Sequence, residues 1–159
     1  MAAELIESIP RLEAEENWVT LHWDRYAITV PQQQVKSVEL SADVKESLPT
    51  ELAAGWFPAS PKPYPIYRFD ERMWPTRGLT TTGFVMLLGE DEPWGIWGDS
   101  VNVERSDTLP RVLELPSIFK RTVSPAEAFA VAEDGKPVLV CSQHSLSRWI
   151  NALLARRAR

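Results

Sequence analysis

The sequence predicts a mostly-β domain closed by one helix. Three observations carry this reading. Short runs of alternating apolar residues recur along the chain, turn-forming residues separate them, and the C-terminal segment alone shows an uninterrupted apolar stripe of helical period. Thirteen prolines against seven glycines agree with it, because proline is excluded from helix interiors and fits short strands joined by rigid connections.

The first firm strands lie in WVTLHWDRYAITV, residues 18–30. Val19, Leu21 and Trp23 share one phase, and Tyr26, Ile28 and Val30 resume it after Asp24-Arg25, which predicts a hairpin. His22 is in phase with Thr20 on the opposite face and is expected to be solvated; Trp18 is also out of phase with the inward side. Pro31 ends the pair, and QQQVKSVEL supplies a helical turn or a short strand. Residues 41–63 read as loop, with prolines at 49, 58, 61 and 63. YPIYRF, 64–69, is a short strand whose internal Pro65 assigns it to a sheet edge or a bulge.

FVMLL and WGIWGDSV flank an acidic turn and predict a second hairpin within 83–104. Residues 105–125 mix prolines and apolar residues, and Ser124-Pro125-Ala126-Glu127 has the form of a capping box. Against a helix there stands Asp134-Gly135 between AFAV and VLVC, a strong hairpin signal, so any helix from Ser124 is expected to be a single turn. Leu146, Trp149, Ile150, Leu153 and Leu154 then mark one face of a terminal helix, with arginines at its end to suit the dipole. Near the N-terminus Leu5, Ile6, Ile9 and Leu12 have helical spacing that Pro10 interrupts, so residues 1–16 read as a flexible or weakly helical arm.

A chain of 159 residues is one domain's worth and long enough to bury a core. Its net charge of −5 disfavours a general nucleic-acid binder. One cysteine allows no internal disulfide framework, and with only His22 and His144 beside it no metal site and no cofactor are expected. No apolar run is of membrane-spanning length, and the acidic start has no secretory pattern; a cytoplasmic protein is the simplest expectation.

Catalysis has thin support. Cys141 and His144 stand three residues apart, as a thiol and its base could, but a buried thiol at a strand end beside a surface or capping histidine is the reading preferred. Asp70 with Glu71, and Glu90, Asp91 and Glu92, could act as paired acids, yet the second group sits in a hairpin turn where charges are solvated. No phosphate-binding loop or nucleophile elbow is present. Seven tryptophans are more informative. Trp94 and Trp97 fall on opposite faces of one strand, so one is expected to be exposed or to be covered by something. At least one of Trp18, Trp94 and Trp97 therefore either meets a partner or is covered by the terminal arm or helix.

Four stretches together resemble the CheW-like domain of bacterial chemosensory systems. RYAITVPQQQVKSVEL is similar to the family's strand running into Val-x-x-Val; GWFPASPKPYPIYRF resembles the block in which Gly55 and Pro65 match. FVMLLGEDEPWGIWGDSVNV matches at Gly95, Asp99 and Val101, and EDGKPVLVCSQHSL resembles the closing hairpin and the start of the last helix. The likeness spans about residues 17–150. It departs at three polar positions: Pro58-Ala59-Ser60-Pro61 replaces an arginine-bearing turn, Ser37 stands for an acid, and Arg68 stands for the aspartate after the proline.

The resemblance implies two interleaved, five-stranded, SH3-like β-barrels around a shared core with a C-terminal helix, over 17–152, between the arm at 1–16 and a basic tail at 153–159. It implies a non-catalytic adaptor joining the cytoplasmic tips of methyl-accepting chemoreceptors to the regulatory domain of a CheA-type histidine kinase. Contacts would run through barrel edges and the groove between barrels, with flagellar or type IV pilus output. Val35, Val38 and Glu39 become binding candidates by position, with core packing of both valines as the alternative, and Trp94 and Trp97 join them as exposed-aromatic candidates. Two other readings remain: an interaction module that has lost receptor and kinase binding, and a small hydrolase using Cys141 and His144.

Overall fold

The computed structural model describes residues 17–46, 52–70, 72–78, 82–89, 91–105, 112–113, 124–131 and 135–157. The arm expected over 1–16 lies outside them, as does most of 105–125. The described chain is mostly β and ends in one helix, α1, Gln143–Arg157. It divides into two compact units that alternate along the sequence: one holds residues up to Thr20, Tyr26–Gln32 and Asn102 onward, the other Leu21–Arg25 and Gln33–Val101.

One sheet has the order β10 (Ser100–Arg105), β1 (Asn17–Trp23), β2 (Tyr26–Pro31), β13 (Pro137–Val140), β12 (Ala128–Val131), β11 (Val112–Leu113). β1 and β2 form the expected hairpin, and β13 joins β2 in parallel with Leu139 opposite Ile28. β12 and β13 are the Asp-Gly hairpin, antiparallel with Ala128 opposite Val140. Gly135 sits at φ +82°, a conformation that costs glycine nothing and other residues about 1 kcal/mol or more.

Trp18 is core here, not a partner contact. It is buried with Ala27, Ala128, Ala130, Val138 and Val140, where three alanines on neighbouring strands leave room for one indole. β1 is buried on both sides, so alternation did not select a single inward face. The Thr20 hydroxyl on the side expected to be polar pairs with that of Thr29 at 3.0 Å, and His22 is half-buried.

Residues 124–127 form no helical turn. The Ser124 hydroxyl accepts from the Ala126 N–H, while the Glu127 carboxylate accepts the Ser142 hydroxyl at 2.9 Å and so ties the approach to β12 to the start of α1. That start is capped reciprocally: Ser145 N–H donates to Ser142 Oγ and Ser142 N–H to Ser145 Oγ. Leu146, Trp149 and Ile150 are buried, Leu153 is half-buried and Leu154 exposed. The helix continues to Arg157, so the basic tail assigned to 153–159 begins inside α1.

The second unit's sheet runs β3 (Val35–Leu40), β8 (Phe84–Leu88), β9 (Trp94–Gly98), β6 (Tyr64–Phe69), β5 (Gly55–Phe57), β4 (Lys45–Glu46), with β7 (Pro75–Thr76) added to β6. QQQVKSVEL supplies both alternatives, a 3-10 turn at Gln32–Gln34 and then β3. The segment 41–63, expected as loop, contains β4, β5 and a second 3-10 turn at Ser41–Asp43. Two-residue strands such as β4, β7 and β11 carry the sheets to seven and six strands instead of five each.

β6 is a correction: it is interior, not an edge. It pairs antiparallel with β5 and parallel with β9, but the β9 ladder begins at Ile66, one residue past Pro65, so the missing proline N–H interrupts nothing there. β8 and β9 form the second expected hairpin, with Met86 opposite Ile96. At Gly98 the chain passes so close to Leu21 that an added Cβ would lie 2.5 Å from the leucine Cγ and 2.8 Å from the His22 carbonyl oxygen.

Candidate functional site

Among the described residues β3 is the terminal strand of its sheet and pairs with β8 alone. Its register shifts between Val35 and Ser37: Val35 faces Leu88 and Ser37 faces Leu87, leaving Lys36 as a one-residue bulge. The bulge decides what the strand displays. In an unbroken strand Val35 and Val38, three apart, point to opposite faces. With Lys36 extruded, Val35, Val38 and Leu40 stand opposite Leu88, Met86 and Phe84, alternate residues of one partner strand, and therefore share one face.

The three form an apolar row of rising exposure: Val35 half-buried, Val38 38% exposed and Leu40 56%. Glu39 faces Val85 and belongs to the other face, with Ser37 opposite Leu87. Neither valine is a fully buried core residue. Leu40, absent from the sequence-derived candidates, is the most exposed member; its two-residue spacing from Val38 was the signal available.

Trp94 and Trp97 lie elsewhere and are covered. β9 is buried along its whole length, and the tryptophans are 8% and 4% exposed, so of the two alternatives, exposure or cover, both side chains take cover. Trp94 meets Tyr67 edge-on at 6.0 Å, and burial raises the Tyr67 phenol above its usual pKa. Trp97 donates its indole N–H to the Thr82 carbonyl at 3.3 Å and carries the Arg68 guanidinium over its ring at 4.6 Å. Arg68 also donates to the Gly78 carbonyl. The arginine standing for an aspartate is thus an internal clamp between β6, β9 and the segment after β7. The exposed tryptophan of this unit is Trp74, 50% accessible, which periodicity did not single out.

The Cys141–His144 pair is not arranged as nucleophile and base. Cys141 is buried at the end of β13, its thiol directed to the Leu139 carbonyl, and burial, then the nearby Glu127 carboxylate, push its pKa far above the ordinary thiol range. His144 is exposed on the first turn of α1. Asp70 accepts the N–H groups of Arg72 and Trp74 through one carboxylate oxygen, a turn-forming role. Asp91 and Glu92 are exposed; Glu71 and Glu90 lie outside the described residues. Among the described residues no three His, Cys, Asp or Glu side chains are grouped to hold a metal ion, and no helix is long and apolar enough to cross a membrane.

A mostly-β chain of two sequence-interleaved units, with parallel pairs β13–β2 and β6–β9, closed by a helix after a final hairpin, has the CheW-like fold. Among solved structures it is similar to the scaffolding protein TtCheW from Thermoanaerobacter tengcongensis, with a TM-score of 0.56 over 79% of this chain and 88% of that one. The identity is 16%, so the likeness is one of fold. No protein-family model matches the sequence, and no curated protein matches it.

Proposed function

We propose that this chain is a non-catalytic, cytoplasmic adaptor that joins chemoreceptor tips to the regulatory domain of a CheA-type histidine kinase. The observation that carries the reading is the fold: most of the chain superposes on most of a protein described as a scaffold. The β3 edge supplies a means. An unpaired strand edge offers backbone donors and acceptors to an incoming strand, and the row of Val35, Val38 and Leu40 offers apolar area beside them. In such an assembly the adaptor does no chemistry. It holds receptor and kinase in register, so that a receptor's change of shape alters the kinase's active population.

A second reading is an interaction module that keeps the fold but binds neither partner. The Pro58–Pro61 turn favours it, as does Arg68, whose guanidinium is engaged within the chain where the family places a free carboxylate. The two readings separate in a pull-down of the purified chain against the kinase regulatory domain and, in parallel, receptor tips. Saturable binding to the kinase domain supports the adaptor; binding to neither supports the repurposed module.

A further inference from the structure

We propose that Trp74, with Arg72 and Arg77 beside it, forms a second docking surface, fitted to an acidic protein segment that carries an apolar side chain. The hairpin between β6 and β7 is closed by a set of hydrogen bonds centred on Asp70. Asp70 accepts from the N–H groups of Arg72 and Trp74 at 2.8 and 3.0 Å, the Asp70 N–H donates to the Trp74 carbonyl at 2.9 Å, and the Met73 N–H donates to the Asp70 carbonyl at 3.0 Å. Met73 is thereby kept at φ 62°, which costs a side-chain-bearing residue about 1 kcal/mol or more. Beyond β7, Arg68 grips the Gly78 carbonyl.

This hydrogen-bonded turn leaves Trp74 50% exposed, although the chain buries Trp18, Trp23, Trp94, Trp97 and Trp149. A large aromatic on a pre-ordered turn has little entropy left to lose on binding, the condition under which tryptophan dominates an interface.

Charge selects the occupant. Asp70 is engaged by backbone donors and Arg68 by the Trp97 ring, whereas Arg72 and Arg77 are exposed on a chain whose net charge is −5. Carboxylates on a partner would complement these two cations while its apolar side chain packs on the indole. An anionic membrane is the poorer match, since surface attachment of that kind uses about four to eight clustered basic residues. The surface is separate from the β3 edge, because β8 and β9 lie between β3 and β6 in the sheet. The inference does not depend on the adaptor reading.

The test is to pan a displayed library of random peptides on the immobilised full chain and titrate the enriched peptides, synthesised, against variants. We expect acidic residues next to an aromatic or long aliphatic residue. Trp74→Ala should weaken binding roughly tenfold or more, as loss of a central anchor does. The Arg72→Ala/Arg77→Ala pair should weaken it by about threefold, a difference that closes at high salt. Asp70→Ala should weaken it while Trp74 remains in place, because the turn loosens. Enrichment of nothing, of peptides without acidic residues, or of peptides that hold W74A as tightly would overturn the proposal. So would self-association of the chain that W74A abolishes, or sedimentation with vesicles of anionic lipid that W74A prevents.

Discussion

Strands β3 and β9 belong to one sheet and are separated only by β8, yet they use apolar residues for opposite ends. β9 has a partner strand on each side and is buried from Trp94 to Gly98, both faces included. Among the described residues β3 has one partner strand, and its exposure alternates residue by residue. The contrast shows that sheet position, not residue type, decides whether an apolar side chain serves stability or remains available to a partner. Tryptophan in β9 is held by Tyr67, Thr82 and Arg68, whereas leucine in β3 is 56% open.

If that contrast is right, substitutions in β9 should damage folding and substitutions in β3 should not. The largest effect is expected at Gly98→Ala, where the new methyl meets Leu21 and a backbone oxygen that cannot step aside. A loss of about 3 kcal/mol in urea unfolding is expected. Ile96→Ala, in a fully buried position, should cost a similar ~3 kcal/mol, while Leu40→Ala stays within about 0.5 kcal/mol. Equal losses at Ile96 and Leu40 would erase the distinction.

A smaller effect concerns Cys141. The unfolded thiol ionises near pH 8.5 and the buried one only well above that, so over the interval the folded state retains a proton that the unfolded state releases. Stability is therefore expected to be unaffected by this group below that pH and to fall as pH rises above it. Cys141→Ala should make the fall shallower, leaving the part due to Tyr67, whose pKa is also raised. A pH series of thermal unfolding for both proteins checks this. Smaller still, Arg68→Ala should cost about 1 kcal/mol through its lost stacking on Trp97 and its bond to Gly78, a partly exposed pair.

Local patterns made much of the fold legible. The three hairpins announce themselves by alternation and by turn residues, and the terminal helix by its apolar stripe. What escaped was whatever depends on non-local neighbours. Alternation assigns opposite faces to Trp94 and Trp97 but cannot say that both faces are covered. Pro65 argued for an edge because the rule concerns a missing N–H, and the register that makes the N–H unnecessary is set by β9, nearly thirty residues away. The bulge at Lys36 has no marker of its own, so spacing alone could not place Val35 and Val38 on one face. Ser124–Glu127 looked like a helix start because both end residues do make polar contacts, though Glu127 makes its contact with a serine fifteen positions on.

The most direct test of the central claim is the affinity of the chain for the kinase regulatory domain, measured for wild type and for the Val38→Glu/Leu40→Glu pair. Both positions are exposed, so the pair should leave the unfolding midpoint nearly unchanged. Buried charge at the contact should weaken binding at least roughly tenfold. Saturable wild-type binding with that loss is the predicted result; no wild-type binding, or equal binding by the pair, would contradict an adaptor that works through the β3 edge.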